Sequence, residues 1–299
     1  MDDEQESRNI DDRRAHTGKS GGGMPSMRTM VMLWPLIKPL LRSKFGLVII
    51  AVLGGLYFTG NLSKLMSGVG LGNASSSPVT KEQKVEDEQR KVFISKVLKS
   101  TEDVWTVTLA KYGMRYTKPT MVLYRGYTRS GCGAAQSQMG PFYCPEDKKV
   151  YLDLGFFDEL AKRHNAPGDF AQAYVLAHEI GHHIQDLEGT LDKVQRMKQS
   201  WGGQGKKANG LQVRVELQAD CYAGAWAHHA QKKFKMLEPA DIEEALNAAS
   251  IGDDTLQRKA GQRVRPDGFT HGSLVQRVSW FKRGFISGDV RQCDTFANE

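Results

Sequence analysis

Inside an apolar run from Phe170 to Leu187, the residues Ala177-His178-Glu179-Ile180-Gly181-His182 give the order His-Glu-x-x-His. Side chains four positions apart on a helix share a face. His178 and His182 can therefore offer two imidazole nitrogens to one ion. Glu179, one position after the first, reaches the ion's open side without binding it. Paired imidazoles beside a carboxylate suit a zinc site whose activated water attacks a peptide carbonyl. The plain alternative is a surface helix with two solvated histidines, and it weakens if the chain also holds a third ligand.

A hydrolytic zinc takes three protein ligands and keeps one position open. The extended pattern that supplies a third histidine fails here, because its two further positions are Gln185 and Glu188. A carboxylate on a second helix remains. The run Val213 to His229 carries Glu216 and Asp220 four residues apart, among Ala, Gly, Tyr and Trp. Acids in so apolar a helix are costly unless paired. Glu216 reads as the third zinc ligand. Asp220 reads as the acceptor for the far ring N–H of a ligand histidine, fixing its tautomer. The competing reading is an Arg214–Glu216 surface patch with a buried, hydrogen-bonded Asp. His183 points about 100° away from its neighbour and reads as structural. His228 and His229, at the helix end, read as solvated. His271 stands alone in a loop ahead of a last helix, Leu274 to Ile286. It either donates to the oxyanion formed when water adds to a carbonyl, or serves as a helix-capping or buried polar residue.

These groups need a scaffold, and the expected one is α+β: a mostly helical, zincin-like domain over residues 81–299 with a small antiparallel sheet. Val85, Val92, Phe93, Val97 and Leu98 recur at helical spacing. Ser100 with Asp103 then resembles a capping box that opens a second helix to Gly113. Thr120 to Tyr124 reads as a strand. Phe142 to Cys144 and Val150 to Asp153 flank the turn sequence Pro145-Glu146-Asp147-Lys148 and read as a hairpin. An exposed edge of that sheet could take an extended peptide as an added strand. Phe156 to His164 reads as a short helix with His164 at its end. Residues 190–210 read as a helix tail and mobile loop, and Glu238 to Lys259 as a scaffold helix.

With 40% hydrophobic and 25% charged residues, the 299-residue chain suits one sizeable domain plus appendages. The net charge is +7, but the basic residues are scattered and no nucleic-acid motif is present, so nucleic acid is not an expected partner. Residues 1–44 are expected to be a disordered cytoplasmic tail, with an interfacial segment from Val31 to Leu41. Phe45 to Leu62 lacks any charge and is expected to span the membrane once, the competing reading being a cleaved signal peptide, which the 44-residue leader before it disfavours. Arg28, Lys38, Arg42 and Lys44 precede it, which keeps the N-terminus cytoplasmic and the rest periplasmic or outside. Residues 63–80 would be a flexible linker. In such a compartment the four cysteines suit two disulfides. Cys132 and Cys144 bracket a short loop and could close it, the alternative being two free buried thiols. Cys293 is a candidate partner for Cys221.

Four blocks in order resemble the neutral zinc metallopeptidase family of bacteria, the YpfJ-like proteins. They are GPFYCPEDKKVYLD at 140–153, AHEIGHHIQ at 177–185, ELQADCYAGAWA at 216–227 and THGSLVQRVSWFKRGF at 270–285. Asp12-Arg13-Arg14 and one anchor also fit. More distantly, Glu216-x-x-x-Asp220 and His271 with Arg277 resemble membrane gluzincins of the CaaX-protease type, a likeness that implies His271 lies at the active site. Their many membrane helices are absent here, so their intramembrane chamber does not carry over. The expectation is a membrane-anchored zinc endopeptidase acting on protein or peptide substrates of the envelope. Zn2+ would sit on His178, His182 and Glu216, with Glu179 as general base. Two other readings stay open: an envelope binding protein with a closed structural metal site, and a zinc hydrolase of a non-peptide cell-wall amide.

Overall fold

The computed structural model describes residues 4–15, 80–136, 140–158, 169–234 and 269–297. The expected apolar span 45–62, the tether to residue 79, His164 and the helix expected from Glu238 to Lys259 lie outside them. Among the described residues no helix is long and apolar enough to cross a membrane.

Helix α1, Lys81–Ala110, runs unbroken through the expected capping box. Ser100 does not start a second helix. It is buried, and its Oγ accepts from Trp226 Nε1–H at 3.1 Å. The hydroxyl that looked like a cap satisfies a tertiary donor instead. Ile94, Val97, Leu98, Trp105 and Leu109 give α1 its core face.

The main sheet is mixed, not antiparallel. Its strands are β1 (Ile10–Asp12), β2 (Thr120–Tyr124), β5 (Phe142–Cys144) and β6 (Lys149–Asp153), in the order β1-β2-β6-β5. The predicted hairpin is present: β5 and β6 pair antiparallel, with Cys144 opposite Lys149. Its turn uses Lys148 at φ 55°, in the left-handed region. But β6 lies parallel to β2, and β1 parallel to β2 on the other side. Alternation reports which face a side chain takes, not the direction of the neighbouring strand. Between β2 and β5, β3 (Tyr127–Ser130) and β4 (Gly133–Gln136) form a separate antiparallel pair. Met121, Leu123, Val150 and Leu152 join the helical core, whereas Val122, Tyr124 and Tyr151 build a second cluster on the opposite face. A second correction concerns the N-terminus. Residues 4–15, expected within a disordered tail, are ordered and supply β1.

Helix α2, Asp169–Leu187, carries the His-Glu-x-x-His run. Gly189, at φ 76°, ends it and opens α3, Thr190–Ser200, a separate helix where a tail and loop were expected. Helix α4, Lys206–Phe234, starts earlier than the predicted Val213, because Ala208 and Leu211 are already buried. Helix α5, Leu274–Ser287, is followed by a 3-10 turn, Val290–Cys293. Gly181 governs the α2–α4 crossing: a Cβ there would lie 3.0 Å from the Ala219 Cα and carbonyl oxygen. The α4–α5 crossing is closer still. A Cβ at Gly284 would come 1.9 Å from the Cys221 carbonyl oxygen, so no side chain fits. Both expected disulfides are formed, Cys132–Cys144 and Cys221–Cys293, the second joining α4 to the C-terminal turn.

Candidate metal centre

Gly181 lets α2 and α4 approach so closely that His178, His182 and Glu216 present ligand atoms all within 4.8 Å of one another. Glu216 Oε2 lies 3.2 Å from His178 Nε2 and 3.6 Å from His182 Nε2. His178 and Glu216 are buried and His182 is half-buried.

The far nitrogens of both rings are occupied. His178 Nδ1–H donates to Asp220 Oδ1 at 2.9 Å. His182 Nδ1–H donates to Gln185 Oε1 at 2.8 Å. The amide of Gln185 has a defined orientation, because its Nε2 donates to the Val215 carbonyl at 2.8 Å and to Gln218 Oε1 at 2.9 Å. Each imidazole therefore turns its Nε2 toward Glu216, where it donates to Oε2 when protonated and offers a lone pair to an ion when neutral. The second oxygen of Glu216 accepts from Gln212 Nε2 at 2.9 Å, leaving Oε2 for the common point. Asp220 also accepts from Arg277 Nε and Nη2, each at 2.9 Å, and from the Tyr174 hydroxyl. Two imidazoles and a carboxylate, each held by an outer partner, match in type the donor set of a catalytic zinc site. The residues present fit that ion.

The electrostatics agree. Burial disfavours the charged form of His178, but the Asp220 carboxylate and then Glu216 outweigh it and raise its pKa to about 10. His182 is opposed by burial and raised by Glu216. Burial would raise Glu216, yet the two histidines hold it well below the usual range. Burial likewise opposes ionisation of Asp220, and Arg277 then His178 keep its pKa low. The cluster thus retains positive charge among its carboxylates despite burial, the balance a bound cation would also satisfy.

The chain's residues 1–296 match the profile of a family described as "putative neutral zinc metallopeptidase". The chain belongs to this family. It is 47% identical over 300 residues to the uncharacterized protein YpfJ of Escherichia coli (strain K12), covering 98% of this chain and 96% of that protein. It is 44% identical over 209 residues to an uncharacterized protein of Mycobacterium tuberculosis (strain H37Rv), covering 66% of this chain and 68% of that one. No solved structure matches it.

Within this member of the zinc metallopeptidase family, the other predicted residues fall as follows. Glu179 is buried one step after His178, and its carboxylate acts electrostatically on His178 and His182. His271 is exposed and outside the ligand cluster, with Nδ1 3.1 Å from Thr270 Oγ1. It does not cap α5: Ser273 does, in a capping box with Gln276. Its neighbour Gly272 packs on α4, where a Cβ would lie 3.3 Å from Leu217 and 3.4 Å from Val213, residues flanking Glu216. The loop is thus held against the ligand helix. His183 is buried as expected: its Nε2–H donates to the Thr117 carbonyl at 2.6 Å, and Nδ1 faces the Tyr143 hydroxyl at 3.0 Å. His228 and His229 are not simply solvated. Half-buried, they donate to the carbonyls of Phe285 and Gly288, each at 2.8 Å, and so cap the end of α5.

Sequence reasoning missed Tyr174, Gln185 and Gln212 as site residues. Each had a signal: Tyr174 lies one turn before His178, Gln212 one turn before Glu216, and Gln185 three residues after His182. Arg277 entered only through resemblance, since nothing local to α5 points to a partner on α4.

Proposed function

We propose that this protein is a zinc-dependent endopeptidase, attached to the membrane and working outside the cytoplasm on protein or peptide substrates. The observation that carries the chemistry is the convergence of His178, His182 and Glu216, each with its outer partner in place. Zinc on these residues would supply a Lewis acid that activates water and polarises the scissile carbonyl. Glu179 accepts the proton released by the attacking water and returns it to the leaving amine. Asp220 and Gln185 keep both imidazoles in the tautomer that leaves Nε2 free. His271, on a loop that packs on α4 at Val213 and Leu217, donates to the tetrahedral oxyanion.

Placement outside the cytoplasm is supported by the two disulfides, which persist in oxidising compartments. Membrane attachment is supported by the uncharged run 45–62. The test compares membrane and extracytoplasmic proteomes of cells carrying wild type or Glu179→Gln. Full-length substrates should accumulate with the variant. Identical proteomes, together with equal cleavage of an unfolded protein in vitro, would refute the peptidase reading.

A further inference from the structure

The first described residues of the chain precede the apolar run, yet they are built into the same compact unit as the catalytic residues. Strand β1 pairs in register with β2, Ile10 opposite Met121 and Asp12 opposite Leu123. Backbone bonds extend the ladder at both ends: Met121 N–H donates to the Asn9 carbonyl and Arg13 N–H to the Leu123 carbonyl, both at 2.8 Å. Before the strand, Ser7 N–H donates to the Ser95 carbonyl of α1 at 3.0 Å.

Side chains add a second fastening. Glu102 of α1 is 1% exposed. Its carboxylate accepts from Ser7 Oγ at 2.6 Å, Asn9 Nδ2 at 2.7 Å and Lys118 Nζ at 2.8 Å. Removing residues 4–15 would leave this buried acid with two fewer donors, and an under-satisfied buried charge is strongly destabilising. On the outer side, Arg14 bridges Asp12 and Glu88, and Lys91 reaches Asp12 at 2.9 Å. Arg13 Nη1 donates to Thr128 Oγ1 at 3.2 Å and to the Arg129 carbonyl at 3.0 Å.

A strand hydrogen-bonded into a sheet cannot lie across a hydrocarbon layer about 30 Å thick from its neighbours. We infer that residues 4–15 share one compartment with the catalytic residues 80–297, serving as an integral strand of the domain. A single crossing between them, with a cytoplasmic N-terminus, is incompatible with this pairing. Where the proposed extracytoplasmic placement holds, the N-terminus is outside as well.

The test uses the full-length chain in spheroplasts. All four native cysteines are in disulfides, so a single added thiol is the only maleimide target. Arg8 and Ser200 are both exposed, and Arg8→Cys and Ser200→Cys are made separately. A membrane-impermeant maleimide should label both variants before lysis, with a ratio near one. Labelling of Ser200→Cys alone, with Arg8→Cys reacting only after lysis, overturns the inference. Labelling of neither before lysis supports the shared compartment and overturns the extracytoplasmic placement instead, so the two failures are distinguishable.

Discussion

Each of the three converging side chains, His178, His182 and Glu216, is held by a neighbour one helical turn away or on the facing helix. Gln185 shows how: it occupies a position where another zincin class carries glycine, and here it fixes the His182 tautomer. Gln185→Leu should lower zinc affinity roughly 10–100-fold, the usual penalty for losing an outer partner. A competition titration with a chelator would read it, and an unchanged affinity would show that His182 needs no such partner. Glu179→Gln should retain zinc while losing about 10²–10⁴-fold in kcat. Stopped-time peptide cleavage at matched zinc content measures this. Glu188 carries a different expectation. Burial raises its pKa above the usual 4.5, and the Tyr222 hydroxyl only partly offsets that. An acid whose folded pKa is raised loses stability as pH climbs above its unfolded value. Glu188→Gln keeps the Tyr222 bond, so it should raise Tm at pH 7 relative to wild type and make no difference near pH 4. An equal gain at both pH values would assign the effect to something other than ionisation. The juxtaposition of His178 and His182 was legible because spacing on one helix face is written in sequence. Their outer partners were less so, since a glutamine at helical spacing is ordinarily solvated.

At the level of elements, the α2–α4 crossing decides whether a metal site exists. Gly181, an unassigned position in the motif, sets that distance. Gly181→Val should cost about 1–3 kcal/mol by overpacking, and should weaken zinc binding because Glu216 moves off with α4. Denaturant unfolding and zinc titration would check both, and unaltered zinc binding would mean the crossing has slack. The sequence marked α2 and α4 through their apolar faces, and the β5–β6 hairpin through its turn residues. It misled at Ser100, where a buried hydroxyl serving Trp226 imitates a cap. It also misled on strand direction, because β6 reaches β2 only after the intervening β3–β4 pair and β5. Those outcomes depend on partners distant in the chain, which a local pattern does not contain.

Across the whole molecule, the ends of the chain brace its centre. The Cys221–Cys293 disulfide spans 72 residues, and closing a loop of that size stabilises by about 4 kcal/mol in the chain-entropy account. It also positions the Cys293 carbonyl, which accepts from Gln218 Nε2 at 3.2 Å, and Gln218 in turn accepts from Gln185. Replacing both cysteines by alanine should therefore lower Tm and zinc affinity together. A fall in Tm alone would separate the brace from the site. At the other end, the polar composition of residues 4–15 suggested disorder, but Glu102 and the β2 edge supply partners that composition does not reveal. The account rests on one ion shared by two helices, and elemental analysis of purified protein tests it most directly. Wild type and Glu179→Gln should each hold one zinc per chain, and Glu216→Ala should hold almost none. Stoichiometric zinc in folded Glu216→Ala would contradict the assignment of α4 as the ligand helix.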